Sequence, residues 1–308
     1  MKQKSLTHKW IISVAFILLL FHPASHGLYS SDTPSDSDFI NVYFVDVGQG
    51  DAIFIDLFGK KSVLIDSGPA NIFSNFFYKK KKGIARFLNK KGVRKLDLYI
   101  LSHAHSDHIG GLKRLLRNMK IKTLYDPGFA FASRDYEACL RLIEQKKVGY
   151  KIVRSGLTEK INGVTFEVFS PKKLFRHTRS DANSNSLVVK MTYKNISFLF
   201  PGDIEKEAEY SLLSQKEKLR STFLKSPHHG SESSNTLDFI KMIQPEAVFI
   251  SCGKNNIFGH PSAETLKRYE KLKVNVYRTD LHGSVRVKTN GQSYEISHEN
   301  EKTVSQSD

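Results

Sequence analysis

The stretch "SHAHSDHIGG" (residues 102–111) sets His103, His105, Asp107 and His108 within six positions, directly after the strand-like run "LDLYIL" and ahead of two glycines. An extended backbone sends residues i and i+2 to the same side, so His103 and His105, leaving the end of a strand, face one point. The apolar residues of "HIGGLKRLLRNM" recur at helical spacing, so the chain turns from strand into helix at Asp107 and His108. Four such side chains in so short a loop read as a metal site. Imidazole and carboxylate donors suit zinc, manganese or iron, at about 2.0–2.2 Å for zinc.

Outward from this loop the chain reads as strands and helices in two groups. "FINVYFVDV", "AIFIDLF" and "KSVLIDSG" are three consecutive strands parted by glycine-bearing turns, followed by a helical pattern over 72–92. Beyond the loop come a helix near 134–147, the strand "GVTFEVFSP", and a strand pair, "SLVVKMTY" and "ISFLFPGD", joined at Lys194-Asn195. The last third alternates: helix 204–215, strand "TFLKSP", helix 235–243, strand "EAVFIS", helix 261–272, strand "VNVYRTD" and a hairpin around Asn290-Gly291. Strands in two groups, each with its own helices, predict two sheets packed face to face with helices outside: an α/β fold in an αββα four-layer sandwich, spanning 39–298 as a single domain. Residues 299–308 read as a polar tail.

The first residues place Lys2, Lys4 and Lys9 ahead of an apolar run from Trp10 to Phe21 and small residues near Gly27, the layout of a cleaved signal peptide over 1–27. A run of this length falls short of the roughly 20 residues a membrane helix needs, although an uncleaved membrane anchor is the competing reading. The expectation is a secreted protein that requires no transmembrane partner. Residues 28–38, rich in Ser and Asp, read as a linker. Loss of 1–27 removes three lysines and no acid, taking the formal charge from +16 to +13. Such a surface attracts polyanions. Lys79 to Lys82, Arg86, Lys90, Lys91, Arg94 and Lys95 form one basic run, readable as a phosphate-backbone patch or as a solvated face. Cys139 and Cys252 could pair in an oxidising compartment or stay as buried thiols.

Two further strand ends bear on the metal site. "FLFPGDIE" ends on Gly202-Asp203 and "LKSPHHGSESS" on His228-His229-Gly230. Strand ends on one side of a sheet share a crevice, so Asp203, which alone would read as a helix cap, gains weight as a ligand. A carboxylate between two ions about 3.5–4 Å apart suits attack on a phosphoryl or acyl centre.

"HAHSDH" resembles the signature of the metallo-β-lactamase fold superfamily. Together with "VDVGQGDA", "VLIDSG", "FLFPGDIE", "SPHHGS", "GHPS" and "YRTDLHGSV", it makes residues 41–288 similar to the hydrolase domain of the ComEC-type competence (DNA uptake) family. The resemblance implies an αββα sandwich of the metallo-β-lactamase type holding two divalent metal ions, zinc or manganese. His103, His105, Asp107 and His108 would form the first ligand group, Asp203 the bridging carboxylate, and His228 a ligand of the second ion. Asp66 would hold the site in position, Asp107 would help hold the attacking water, and His260 and Asp280 would lie at the rim and touch substrate or orient a ligand. Apart from the resemblance, His229 reads either as orienting its neighbour or as a solvent-facing side chain. The superfamily pattern has a further ligand histidine before the bridging aspartate, but the one histidine in that interval, His177, sits in a polar loop and reads as a surface residue. "NSNSL" stands there instead, placing Asn183 and Ser186 near the metals as substrate-binding residues. The implied activity is an exported phosphodiesterase or nuclease acting on DNA or another polyanionic phosphodiester. Hydrolysis of a teichoic acid ester, a lactone or a β-lactam, and a non-catalytic DNA-binding role, are the alternatives.

Overall fold

A computed structural model describes residues 39–70 and 83–300; the expected signal segment and linker, Lys79 to Lys82, and the tail from 301 lie outside the described residues. In chain order the strands are β1 (Ile40–Phe44), β2 (Ile53–Leu57), β3 (Lys61–Ile65), β4 (Lys95–Ile100), β5 (Lys120–Asp126), β6 (Gly149–Ile152), β7 (Thr158–Ile161) and β8 (Val164–Ser170). They continue as β9 (Val188–Tyr193), β10 (Ile196–Phe200), β11 (Phe223–Lys225), β12 (Ala247–Ile250), β13 (Asn275–Arg278), β14 (Val285–Thr289) and β15 (Tyr294–His298). One sheet runs β15-β14-β1-β2-β3-β4-β5-β6 and the other β13-β12-β11-β10-β9-β8-β7. Each is antiparallel in one half and parallel in the other, with β3 to β6 parallel in the first and β10 to β13 parallel in the second.

Strand alternation builds the layers. On β1, Ile40, Val42 and Phe44 face the opposite sheet, while Tyr43 between them faces outward. Phe44 lies flat on Phe249 of β12, ring centroids 4.1 Å apart, where the two sheets meet. A second apolar layer packs helices Ile84–Lys90, Leu112–Asn118 and Arg134–Gln145 onto the first sheet through Leu88, Leu115, Leu116 and Ile143. A third packs Lys206–Leu212, Leu237–Ile243 and Ala263–Lys271 onto the second through Ala208, Leu212, Ile240 and Tyr269. Each buried Leu or Ile contributes about 1.5–3 kcal/mol, so three continuous apolar layers hold the αββα sandwich.

The structure adds three strands that the periodicity does not announce. β6 and β7 are edge strands whose side chains are largely exposed, and β5 opens with Lys120 and Lys122, so none carries a strong apolar alternation. Cys139 and Cys252 are buried free thiols in different outer layers, so the disulfide option does not hold. What the fold does for the site is to bring the ends of β3, β4, β10, β11 and β12 together.

Candidate metal centre

The loop after β4 is pinned by the turn after β3. Asp66, in a left-handed conformation (φ 57°), accepts hydrogen bonds from the Ser102 N–H at 2.8 Å and the Ser102 hydroxyl at 2.6 Å. Its Oδ2 also meets His108 Nδ1 at 2.8 Å. Backbone bonds stitch the neighbouring loops: Ser67 N–H donates to the His108 carbonyl, Asp51 N–H to that of Asp107, and Leu187 N–H to that of Ser102. The chemistry-bearing side chains therefore sit on a rigid frame rather than on free loop tips.

Within that frame Asp107, His108, Asp203 and His229 bring their ligand atoms within 4.8 Å of one another. His108 Nε2 lies 3.1 Å from Asp203 Oδ2, and His229 Nε2 lies 3.1 Å from Asp107 Oδ2 and 3.2 Å from Asp203 Oδ2. The far nitrogen of each ring is already engaged, His108 Nδ1 by Asp66 and His229 Nδ1 by the Ser251 carbonyl at 2.9 Å. That arrangement fixes the tautomer and aims Nε2 at the two carboxylates. Beside this cluster, His103 Nε2 and His105 Nδ1 converge to 3.0 Å, and the His103 and His108 rings lie 4.1 Å apart. The donor set fits divalent cations: two carboxylates and two oriented imidazoles in one place, with a second imidazole pair adjoining.

Electrostatics agree with that fit. Burial alone would lower the pKa of His108, but the carboxylates of Asp203, Asp66 and Asp107 outweigh it and lift it well above the ordinary range. His229 behaves the same way, burial being outweighed by Asp203 and Asp51. The pocket thus demands positive charge at these rings. His103 and His105 go the other way, lowered by burial and by the neighbouring His108, so they present neutral nitrogen lone pairs. Asp107 stays ionised: burial opposes this, but His108 and His229 hold its carboxyl well below the usual range.

A model of the metallo-beta-lactamase superfamily matches residues 45–254. The chain belongs to the metallo-β-lactamase superfamily. The chain is also 34% identical over 254 residues to ComE operon protein 3 of Bacillus subtilis, an alignment covering 79% of this chain and 32% of that protein. It is 28% identical over 243 residues to competence protein ComA of Neisseria gonorrhoeae, covering 78% and 31%. The chain therefore spans about a third of the length of these curated relatives. Among solved structures, the metallo-beta-lactamase fold protein YhfI from Bacillus subtilis superposes with a TM-score of 0.51 at 13% identity, covering 78% of this chain and 95% of that one. The superfamily is one of metal-dependent hydrolases, and the clustered donors form a candidate site for divalent metals.

Against that superfamily pattern several residues stand where the sequence does not put them. His229, and not His228, enters the four-residue cluster. Both have left-handed backbones (φ 52° and 50°), so the chain coils tightly and the pair diverges, with His229 at 2% exposure while the His228 side chain stays 22% open. His228 Nε2 instead lies 3.5 Å from Asn183 Nδ2. Ser186 is fully buried, and its hydroxyl accepts from the Asp203 N–H at 3.1 Å, so it positions the Asp203 loop and does not face substrate. The Asp280 carboxylate is committed to Arg278, at 3.0 and 2.7 Å, and to the Cys252 thiol at 3.1 Å, so it ties two strand ends together rather than meeting a ligand. His260 does reach the rim, its ring 5.5 Å from that of His228. Asn183 is buried beside His105 in the interval that lacks the further histidine, and His177 is exposed.

Lys225 escapes the sequence reading, and so does its pairing with Asp51. Lys225, the last residue of β11, is 1% exposed and places its ammonium against Asp51, 3.2 Å from Asp203 Oδ1 and 3.1 Å from the Gly202 carbonyl. Asp51 in turn lies 3.3 Å from His229 Nδ1. Burial opposes both charges, but each partner overrides it, raising Lys225 and lowering Asp51. With Oδ1 of Asp203 on Lys225, Oδ2 is the oxygen left facing the imidazoles. The signal was present in the sequence: a lysine inside the apolar strand "TFLKSP" needs a buried counter-ion.

Proposed function

We propose that the protein is a metal-dependent phosphodiesterase acting on nucleic acid, with DNA the favoured substrate, zinc or manganese as its ions, and export directed by residues 1–27. The observation that carries this is the Asp107–His108–Asp203–His229 cluster adjoined by His103 and His105, a donor set for two neighbouring cations. The formal charge of +16 and the competence-protein relatives support a polyanionic substrate. Divalent cations bound there supply Lewis acidity toward a phosphoryl oxygen and ease deprotonation of a coordinated water.

The chain's own residues do the rest. His103 and His105 would offer neutral nitrogens to one cation, and Asp107, His108, Asp203 and His229 would hold its neighbour. Asp66 and the Ser251 carbonyl hold the rings of His108 and His229 in place. Asp107, whose side chain is 29% exposed, keeps an ionised carboxylate beside His108 and His229 that would accept a hydrogen bond from a water at the site. Lys225 and Asp51 act behind the ligands as positioning residues.

The test is cleavage of single-stranded DNA, double-stranded DNA and a generic phosphodiester with manganese or zinc, with and without chelator, beside His103→Ala and Asp203→Asn. Cleavage that needs metal and is lost in both variants is the expected result. Intact substrates after long incubation with either metal would sink the proposal.

A further inference from the structure

The mouth of the site carries a chain of rings that extends beyond the metal donors on both sides of His105. It starts at Phe131, whose ring meets that of His105 edge-on with centroids 5.0 Å apart. From His105 it passes by Asn183 to His228, then to His260 at 5.5 Å, and ends at Phe258, which lies nearly parallel to His260 at 6.0 Å and 20°. Phe258 is 61% exposed and the adjacent Ile257 93% exposed, the two most open large apolar side chains among the described residues. Two adjacent open apolar side chains at the edge of the proposed phosphodiester site form a small patch of the kind that marks a binding surface.

The loop that carries Phe258 is built to hold it still. Asn256 donates from Nδ2 to the Gly253 carbonyl at 2.9 Å and to the His260 carbonyl at 2.5 Å, while its Oδ1 accepts from the His260 N–H at 3.0 Å. Gln49 Oε1, in the turn beside Asp51, accepts from the Gly253 N–H at 3.0 Å. The loop is thus tied at its start to the turn that also holds the metal frame. Along the same rim, Asn183 Oδ1 and His260 Nδ1 are buried without a hydrogen-bond partner in the described structure, and Asn183 itself is only 4% exposed. At the Phe131 end, the Arg176 guanidinium lies over Phe129, two residues from Phe131, adding a cation to that side.

We propose that this rim is a base-stacking subsite for single-stranded nucleic acid, with one base lying on Phe258 and its neighbour across the scissile phosphate against Phe131. The proposal rests on the phosphodiesterase reading and adds the strandedness of its substrate. A duplex keeps its bases stacked on one another and offers them no open face, whereas an unpaired strand gains about 1–3 kcal/mol per base on an aromatic platform, equal to roughly 5- to 150-fold in affinity. Asn183 Oδ1 and His260 Nδ1 are placed to meet polar groups of the strand between the two rings.

The experiment compares the purified wild-type protein with Phe258→Ala, Phe258→Trp and Phe131→Ala. Binding is read with a fluorescent oligothymidylate in chelator, and cleavage with the same strand, its duplex, and a version abasic beside the cut. We expect Phe258→Ala to weaken binding about tenfold and to raise KM by a similar factor on the single strand, while Phe258→Trp restores both. On the abasic strand and on the duplex the difference between wild type and Phe258→Ala should vanish. Equal binding by wild type and Phe258→Ala would overturn the subsite, as would an equal loss on the abasic strand. Cleavage at wild-type KM by Phe258→Ala would overturn the subsite and leave the nuclease reading intact. Stacking-dependent binding with no cleavage by the wild type would do the reverse.

Discussion

At the scale of the residue, the structure turns on which of two adjacent histidines looks inward. The pair was legible as "SPHHGS", but its orientation was not, because consecutive left-handed residues break the alternation that a strand pattern relies on. The expected outcome is that His229→Ala loses metal binding by more than 100-fold in a competition titration, as removal of a ligand should exceed the 10–100-fold of an orienting partner. His228→Ala, whose ring lies outside the cluster, should keep wild-type stoichiometry. The opposite ranking would return His228 to the ligand set. Lys225 is the other residue whose role comes only from three dimensions. Lys225→Met preserves most of the volume but leaves Asp51 and Asp203 buried without their cation, which should cost about 3–5 kcal/mol in urea denaturation without added metal. A loss under about 1 kcal/mol would mean that water or a proton replaces the ammonium with ease.

At the scale of the element, the long apolar alternations of β1 to β4 and β8 to β12 were readable, and so was the helix-over-sheet order. These signals are local, with period 2 in strands and 3.6 in helices. What was not readable is close approach between segments far apart in sequence. Gly50 shows this: at φ 133° it lets the turn after β1 lie against the Asp107 carbonyl, where an added Cβ would come within 2.2 Å of that oxygen. Gly110 meets the same limit from the other side, its Cβ position 2.2 Å from the Ala70 nitrogen. Gly110→Ala should therefore displace the helix that carries Asp107 and His108. The expected cost is about 1–3 kcal/mol of stability together with weakened metal binding. Gly59→Ala is the control for backbone strain without close approach: its φ is positive, unlike the −55° of Gly110, and its Cβ position has nothing within 4 Å. If both variants bind metal alike, backbone approach at Gly110 is not what sets the ligand geometry.

At the scale of the whole molecule, three apolar layers confine Asp51, Asp66, Asp107 and Asp203 with Lys225, His108 and His229, which couples stability to pH and to cations. His108 and His229 have pKa values raised above the ordinary 6.5, so their contribution is complete below pH 6.5 and is lost as pH climbs through the raised values. Glu209, buried at the foot of the second sheet's helices, moves the same way: burial pushes it from 4.5 up to about 7, although Thr236 and Asn235 N–H groups both donate to it. Its contribution is complete below pH 4.5 and gone above pH 7, a loss of about 3 kcal/mol. Asp107, Asp203 and Asp51 are lowered below 3.8, so theirs is present above that pH and lost in stronger acid. The cation-free protein should then be most stable at about pH 4 to 4.5 and should weaken steadily toward pH 8. A divalent cation held by His108 and His229 would take the place of their protons, so it should release protons on binding and stabilise more at pH 8 than at pH 5.5. At a free concentration of 100 times Kd the gain is about 2.7 kcal/mol. Urea denaturation at the two pH values, with chelator and with manganese or zinc, measures both effects. An equal increment from metal at pH 5.5 and pH 8 would show that cation and protons do not compete for the same nitrogens, and would move the metal position away from His108 and His229.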